Sequence, residues 1–558
     1  SDKFNVDHYP YVHIVDDARL IVGGNTTNPG TMTIEGRSQT TFEGSVTTTR
    51  TLTVKGNAQV TFDDDLNINK GTFTLKGLTT MTTNGDINNS ATLQVNYGDD
   101  YNAGADSPNF LINGSSPENV TVERSLMANT IYYTGSATEE RKMNEGYTIG
   151  TDYNSYFDSG AEKFITSSGI ARFQGGNRYA ACTVGLAGVA GTSHTLIQKG
   201  TLHPNEAYRN SLLDGWNWLN NPYPFTVAAK DGLLPLDVDM PLSDDEGVAP
   251  TVWVRSNGGN GSFDFMTYNA YTDVVANGND GAKYIAPFQD YCIYVNKADT
   301  YTFYPAVQIG ENQSLLKASR LEMPKEIARL RISTDGKEEF DDEAVVVMRA
   351  DGSMLPLMVD SYKYTATSKS QIGLFKEGSA SRYAIGLYPE IVAMQQSEVN
   401  FFVAPHSSAT TITISIDKTH LVTGSEVFLK DRLTGEVVDM NSCYSEYTID
   451  ATQEITDGRF ALIFTSNKSL DINDDDNEPG ATPTGVEPVT TASLRAYGAE
   501  GIIVVEATEA MRGMVIEIVD IAGRKVASVR CQGERTVIPV GSRGLYVTRL
   551  GASSTKVV

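Results

Sequence analysis

The chain is predicted to be all-β, a short parallel β-helix followed by antiparallel β-sandwich modules. Three observations carry that prediction. A six-residue phrase recurs at a near-constant interval close to the N-terminus, runs of Val, Ile, Thr and Tyr fill much of the remainder, and 50 glycines punctuate them. At 558 residues the chain exceeds one ordinary domain. Its 44 Lys and Arg stand against 69 Asp and Glu, a net charge of −25. Such a surface repels phosphate backbones and anionic lipid, so nucleic acid is not an expected partner.

The repeat is the clearest element. Thr31-Met32-Thr33-Ile34-Glu35-Gly36 returns as Thr51-Leu52-Thr53-Val54-Lys55-Gly56 and as Thr72-Phe73-Thr74-Leu75-Lys76-Gly77, then more weakly as Thr92-Leu93-Gln94-Val95-Asn96-Tyr97-Gly98. The glycines lie 20, 21 and 21 residues apart. Second short strands follow (Thr40-Thr41-Phe42, Val60-Thr61-Phe62, Thr80-Met81-Thr82), and third ones around Val46, Leu66-Asn67-Ile68 and Ile87. Three strands per coil at that period predict a parallel β-helix over residues 1–116, because one coil cannot bury its inward face alone. Met32, Leu52, Phe73 and Leu93 are expected to stack as one inward column and Ile34, Val54, Leu75 and Val95 as a second. The glycines would mark a sharp corner. Tyr11 to Val15 and Arg19 to Val22 are expected to form a further coil or its cap.

Residues 117–329 carry strands without a period. There Trp216-Asn217-Trp218 alternates on a strand that Asn220-Asn221-Pro222 should end in a turn. Both tryptophans are expected in a core rather than on a sugar-stacking platform. Phe263, Phe265, Tyr268 and Tyr271, after a Gly-rich turn, suit a surface better, although a hairpin packed on the sheet is the simpler reading. Residues 330–465 read as another antiparallel sandwich, with runs such as Ala344 to Met348 and Thr411 to Ile416. Residues 466–493 are acidic, then rich in Pro, Gly and Thr, and form a linker that cannot bury a core. Residues 494–558 alternate short β-rich runs with Gly turns, as a small sandwich does.

That last stretch resembles the C-terminal sorting domain of proteins exported by the type IX secretion system of Bacteroidetes. The resemblance lies in Val519-Asp520-Ile521-Ala522-Gly523-Arg524 for the family's "Y-D-x-x-G-R" turn and Gly544-Leu545-Tyr546-Val547 for its "G-x-Y-x-V" strand. Lys556-Val557-Val558 is similar to its closing "K-V-x-V", one residue short. Two upstream stretches resemble modules of the same cargo proteins. Gly215-Trp216-Asn217-Trp218-Leu219-Asn220-Asn221-Pro222-Tyr223-Pro224 is similar to "G-W-N-L-x-G-N-P-Y-P", and Ile285-Ala286-Pro287-Phe288-Gln289-Asp290-Tyr291 to "I-P-x-Q-G-F". Asn220 and Asp290 depart from these patterns where glycine is usual, which puts the local turns in doubt. Val427 to Gly435 resembles the "V-x-L-x-D-x-x-T-G" hairpin that precedes many sorting domains.

The resemblance implies an Ig-like sorting domain whose signal residues are Asp520, Gly523, Arg524, Gly544, Tyr546, Val547, Lys556 and Val557. It implies an outer-membrane β-barrel shuttle and the type IX translocon as partners of residues 494–558, and a sortase-like peptidase acting at the linker. The cargo would then sit on the cell surface, adhesin-like, facing a host or matrix ligand. Two other readings fit the same residues: an S-layer or matrix component, and the non-catalytic tail of a large carbohydrate-active enzyme. Ser1 is expected to begin a processed protein or an excised fragment, since neither an initiating Met nor a signal peptide opens the sequence.

No chemistry stands out. The six histidines (His8, His13, His194, His203, His406, His420) show no metal-ligand spacing, and no nucleophile elbow or phosphate loop is present. Cys182, Cys292, Cys443 and Cys531 are far apart, with Cys292 expected as a small buried hydrophobe. Asp63-Asp64-Asp65 is the one acidic cluster in the coils. Asp471 to Glu478 has calcium-like alternation, but the EF-hand glycine and glutamate positions hold Asp476 and Thr482. A solvated acidic run is the preferred reading there and at Ser243 to Gly247. The chain is therefore expected to be no enzyme and to need no cofactor.

Overall fold

A computed structural model describes residues 4–5, 11–98, 107–167, 170–173, 178–234, 247–255, 265–278, 280–306, 325–364, 369–390, 396–421, 425–441, 445–452, 457–465, 495–499, 502–506, 515–520, 525–530, 535–539, 546–550 and 553–557. The protein is almost entirely β. It divides into two compact units, Ser1–Ile472 and Asn473–Val558. The segments drawn at 116 and 329 share the first of these.

The repeat folds as a parallel β-helix of three sheets. One sheet takes Tyr11–Ile14, Thr31–Ile34, Leu52–Val54, Thr72–Lys76, Thr92–Tyr97 and Val120–Met127 in order. In-register pairing sets Val12, Met32, Leu52, Phe73, Leu93 and Val120 in one line, and Ile14, Ile34, Val54, Leu75, Val95 and Val122 in the next. The predicted inward columns are thus real, and from Leu52 onward their members have no exposed surface. The other sheets supply Phe42, Val60, Phe62, Met81 and Phe110, and Val46, Leu66, Ile68 and Ile87, to the same core. Tyr11 to Val22 does form another coil.

The corner after the second column requires glycine for a backbone reason. Gly36, Gly56 and Gly77 have φ of +75°, +72° and +78°, and a Cβ on Gly36 would lie 2.6 Å from the Asp16 nitrogen. Asp16 itself takes the corner in the first coil, at φ 57°. Outside the coils an amide ladder adds rung-to-rung bonds. Asn205 donates to Asn113 (2.7 Å), Asn113 to Asn84 (2.7 Å) and Asn84 to Asp63 (3.0 Å).

The parallel register runs past the expected 116/117 boundary. Val120–Met127 pairs parallel with Thr92–Tyr97 on one side and antiparallel with Ser193–Gly200 on the other. One strand therefore ends the solenoid and begins the next module. Its inward positions are Val120, Val122 and then Arg124, which has no exposed surface. The Arg124 guanidinium donates to Thr134 Oγ1 (2.6 Å), to the Gly135 carbonyl (3.1 Å) and to Gln198. It also lies 5.6 Å from the Phe288 ring centre. Phe288 is fully buried in the solenoid core and packs edge-on against Tyr97 at 5.1 Å. Its φ of +62° is a conformation that costs a non-glycine residue about 1–2 kcal/mol.

Beyond this junction, Gly215–Asn220, Asp290–Val295, Thr251–Arg255, Phe265–Asn269 and Val274–Ala276 form a five-stranded antiparallel sheet. Its Val274 and Ala276 pack on Val345, Val347, Ile385 and Leu387 of the third segment. The third segment is one long sheet, antiparallel except where Asp342–Met348 pairs parallel with Tyr383–Tyr388. Leu429 and Ile449, from strands near its two ends, share one core, so the sheet folds over on itself as a sandwich does.

The columns predict a sharp contrast in denaturant titrations. Leu75→Ala should cost about 2–5 kcal/mol of stability, whereas Thr74→Ala, one residue away and facing outward, should change it by less than about 0.5 kcal/mol.

Candidate functional site

In the C-terminal unit, seven described strands split into two antiparallel sheets. Arg495–Ala499, Ile502–Glu506 and Arg535–Pro539 form one, and Lys525–Arg530, Val515–Asp520, Tyr546–Leu550 and Ser553–Val557 form the other. In immunoglobulin lettering these are A-B-E and C′-C-F-G, an Ig-like arrangement. Alternation along each strand builds the core, with Ile503, Val505 and Ile538 on one sheet meeting Ile516, Ile518 and Tyr546 on the other.

The pairing brings separated pieces of the predicted signal side by side. Asp520 lies opposite Tyr546, and Tyr546 opposite Val557. One residue along, Val519 lies opposite Val547 and Val547 opposite Lys556. Stretches 26 and 9 residues apart in sequence thus form two adjacent cross-strand rows. Tyr546 is buried, so its ring holds the sheets together. A register shift between Ile518 and Val519 bends the strand just before the motif's turn. Gly523, Arg524 and Gly544 lie outside the described residues.

The hairpin ahead of this unit shows why its motif needs Asp and Gly. Asp431 is fully buried and accepts two bonds from Arg459 (2.9 and 2.7 Å), one from the Leu433 N–H (2.9 Å) and one from the Tyr447 hydroxyl (2.9 Å). Burial alone would raise its pKa, but Arg459, Tyr447 and the Leu433 N–H together hold it below the usual carboxylate range. Gly435, at φ +74°, donates its N–H to the Asp431 carbonyl and closes the turn.

The middle signature works the same way. Asn221 is fully buried, its amide shared among the carbonyls of Phe225, Ile285 and Ala286 while its oxygen accepts the Tyr223 N–H. It therefore ties the two motif stretches together. The two departures from the family pattern, Asn220 and Asp290, face each other across adjacent strands. Both are strand ends, and the left-handed residue nearby is Phe288. Burial drives the Asp290 carboxyl well above its ordinary pKa despite a bond from the Cys182 N–H (3.0 Å) and the charges of Arg124 and Arg141. Sequence reasoning missed this buried polar knot, since its members come from five distant stretches.

The remaining candidates resolve into structure. Trp218 lies in a core with Trp253 and with the half-buried Trp216. Phe265 and Tyr268 are buried as a packed hairpin requires, and Phe263 lies outside the described residues. Asp63, Asp64 and Asp65 each accept a bond from a neighbouring coil, from Asn84, Ser45 and the Asp86 N–H. Cys182 and Cys292 are buried, while Cys443 and Cys531 lie outside the described residues. So do both acidic runs, 471–478 and 243–246. Among the described residues no cluster of three or more metal-ligating side chains occurs. Comparison with protein-family models, with curated proteins and with solved structures returns no match for this chain.

Asp431→Asn should leave Arg459 buried without its counter-charge and cost about 3–5 kcal/mol in urea unfolding. Because the folded carboxyl is depressed, the wild-type contribution is complete above about pH 4 and fades as pH falls through the folded value. A flat difference between the two proteins from neutral to strongly acid pH would contradict that assignment.

Proposed function

We propose that the chain is a non-enzymatic cell-surface protein exported by a type IX secretion system. Its C-terminal unit serves as address and handle, and its upstream modules form an adhesin-like body. The observation that carries this reading is the convergence of Asp520, Tyr546 and Val557, and of Val547 and Lys556, on adjacent rows of one small sandwich. A β-barrel shuttle and a translocon would then read a folded sandwich, held together by the buried Tyr546, rather than scattered sequence. The compactness of residues 473–558 as a unit of their own supports the same reading. So does the resemblance of residues 519–524, 544–547 and 556–558 to the sorting-domain motifs.

In this account a sortase-like peptidase cuts within residues 466–493 and transfers the cargo to a surface lipopolysaccharide. Residues 1–472 then remain outside as the working part. The one acidic cluster of the coils is engaged in rung-to-rung bonds, which favours a body that binds over one that catalyses.

Removing residues 544–558 would take away two strands of the sandwich, so loss of export there could reflect unfolding. A transplant is cleaner. Residues 473–558 fused to an unrelated periplasmic reporter should carry it to the cell surface of a type IX-competent bacterium and leave it in the periplasm of a translocon-deficient strain. A reporter retained in both strains contradicts the proposal.

A further inference from the structure

The corner glycines leave a lane along one edge of the solenoid. No side chain projects from Gly56 or Gly77, because the corner is left-handed. A groove open to solvent, about 490 Å³, runs there across successive coils. Its wall is the column that follows the second inward row: Lys55, Lys76, Asn96 and Glu123. Lys76 pairs in register with Asn96, and Asn96 with Glu123. At one rung per roughly 4.8 Å, Lys76 and Glu123 stand about 10 Å apart with Asn96 between them.

Three properties of that wall point to a ligand. Lys55 has its charge answered by Glu35, whereas Lys76 is exposed and makes no ion pair among the described residues. The Asn96 side-chain oxygen is enclosed, so the residue meets the groove through its amide nitrogen, a hydrogen-bond donor. The groove thus offers one cation, one amide donor and, further along, one carboxylate acceptor. It has little apolar anchorage, since Leu78 is the one exposed apolar side chain and Tyr97 is buried with its hydroxyl bonded to the Pro224 carbonyl at 3.2 Å. A peptide anchored by aromatic or aliphatic side chains finds no pocket here. A polyphosphate would meet Glu123 and an acidic chain. A polyol with one carboxylate matches every group.

We propose that this groove binds an acidic oligosaccharide, with a sugar carboxylate on Lys76, the Asn96 amide nitrogen donating to a sugar oxygen and a sugar hydroxyl donating to Glu123. The inference stands apart from the route of export and concerns what the exposed coils hold. Calorimetric titration of the full chain with three singly charged oligosaccharides, sialyllactose, sialyl-N-acetyllactosamine and glucuronosyl-xylobiose, tests it, each beside its carboxyl-reduced counterpart. At least one acidic sugar should bind, and its neutral counterpart should bind about tenfold more weakly. Lys76→Ala and Asn96→Ala should each lose about tenfold, Lys76→Arg should retain most of the affinity, and Lys70→Ala, on an exposed turn that does not line the groove, should change nothing. Absence of binding to all three acidic sugars overturns the proposal. So does equal binding of the neutral forms, or indifference to both alanine substitutions in chains whose circular dichroism is unchanged.

Discussion

A stack of parallel coils carries its apolar column to both ends, and at each end that column must be covered or left in water. At the C-terminal end of this solenoid the cover is Phe288, driven into the core from a turn far along the chain and held at a left-handed φ. Arg124 continues the inward row as a buried cation, with its guanidinium engaged by Thr134, Gly135 and Gln198. Hydrophobic closure of the core outweighs the strain of one backbone angle, since a buried aromatic ring contributes more than the roughly 1–2 kcal/mol at stake. The same closure fixes where the middle module sits, because Val120–Met127 belongs to both. At the other end Ile14 and Val22 retain 7% exposure each, and Tyr11 and Ile21 face solvent, as first rungs do.

From that junction onward the body of the protein is held by buried polar ties as much as by apolar contact. Asn221 joins two loops, Asp431 and Arg459 lock a hairpin, and Lys376 bonds Asp360 at 2.8 Å with neither side chain exposed. Each is satisfied by several partners, the condition under which a buried polar group specifies geometry rather than loosening it. The family-like signatures in this sequence are therefore specifications of ties and turns. Asn220 and Asp290 are a facing pair in extended backbone.

What could be read from the residues alone followed from periodicity. A period of 20 or 21 with Thr-Leu-Thr-Val phrases fixes both the parallel pairing and the side of the sheet each residue faces, which is why the inward columns and the extra N-terminal coil were legible. Short-range alternation did the same for Ile502–Glu506, Val515–Asp520 and Tyr546–Leu550. What was hidden is non-local. Nothing near Phe288 in sequence points to a solenoid core, and nothing near Arg124 announces the partners from residues 134, 135 and 198. The boundary at 116/117 was drawn where the repeat phrase stops, whereas the sheet continues for one rung in a strand that no longer carries the phrase. The two cross-strand rows of the C-terminal unit are invisible until the register is known. The groove was missed because no motif describes it, being defined by missing side chains at Gly56 and Gly77.

The dependence of the coils on their plug is open to direct measurement by native-state hydrogen exchange on the full chain and its Phe288→Ala variant. If Phe288 closes the core, the amides of Leu93, Val95, Val120 and Val122 should lose protection in the variant, while those of Ile412 and Leu462 in the third segment keep theirs. Unchanged protection in the last coils would show that the solenoid ends securely without it, and would contradict the account.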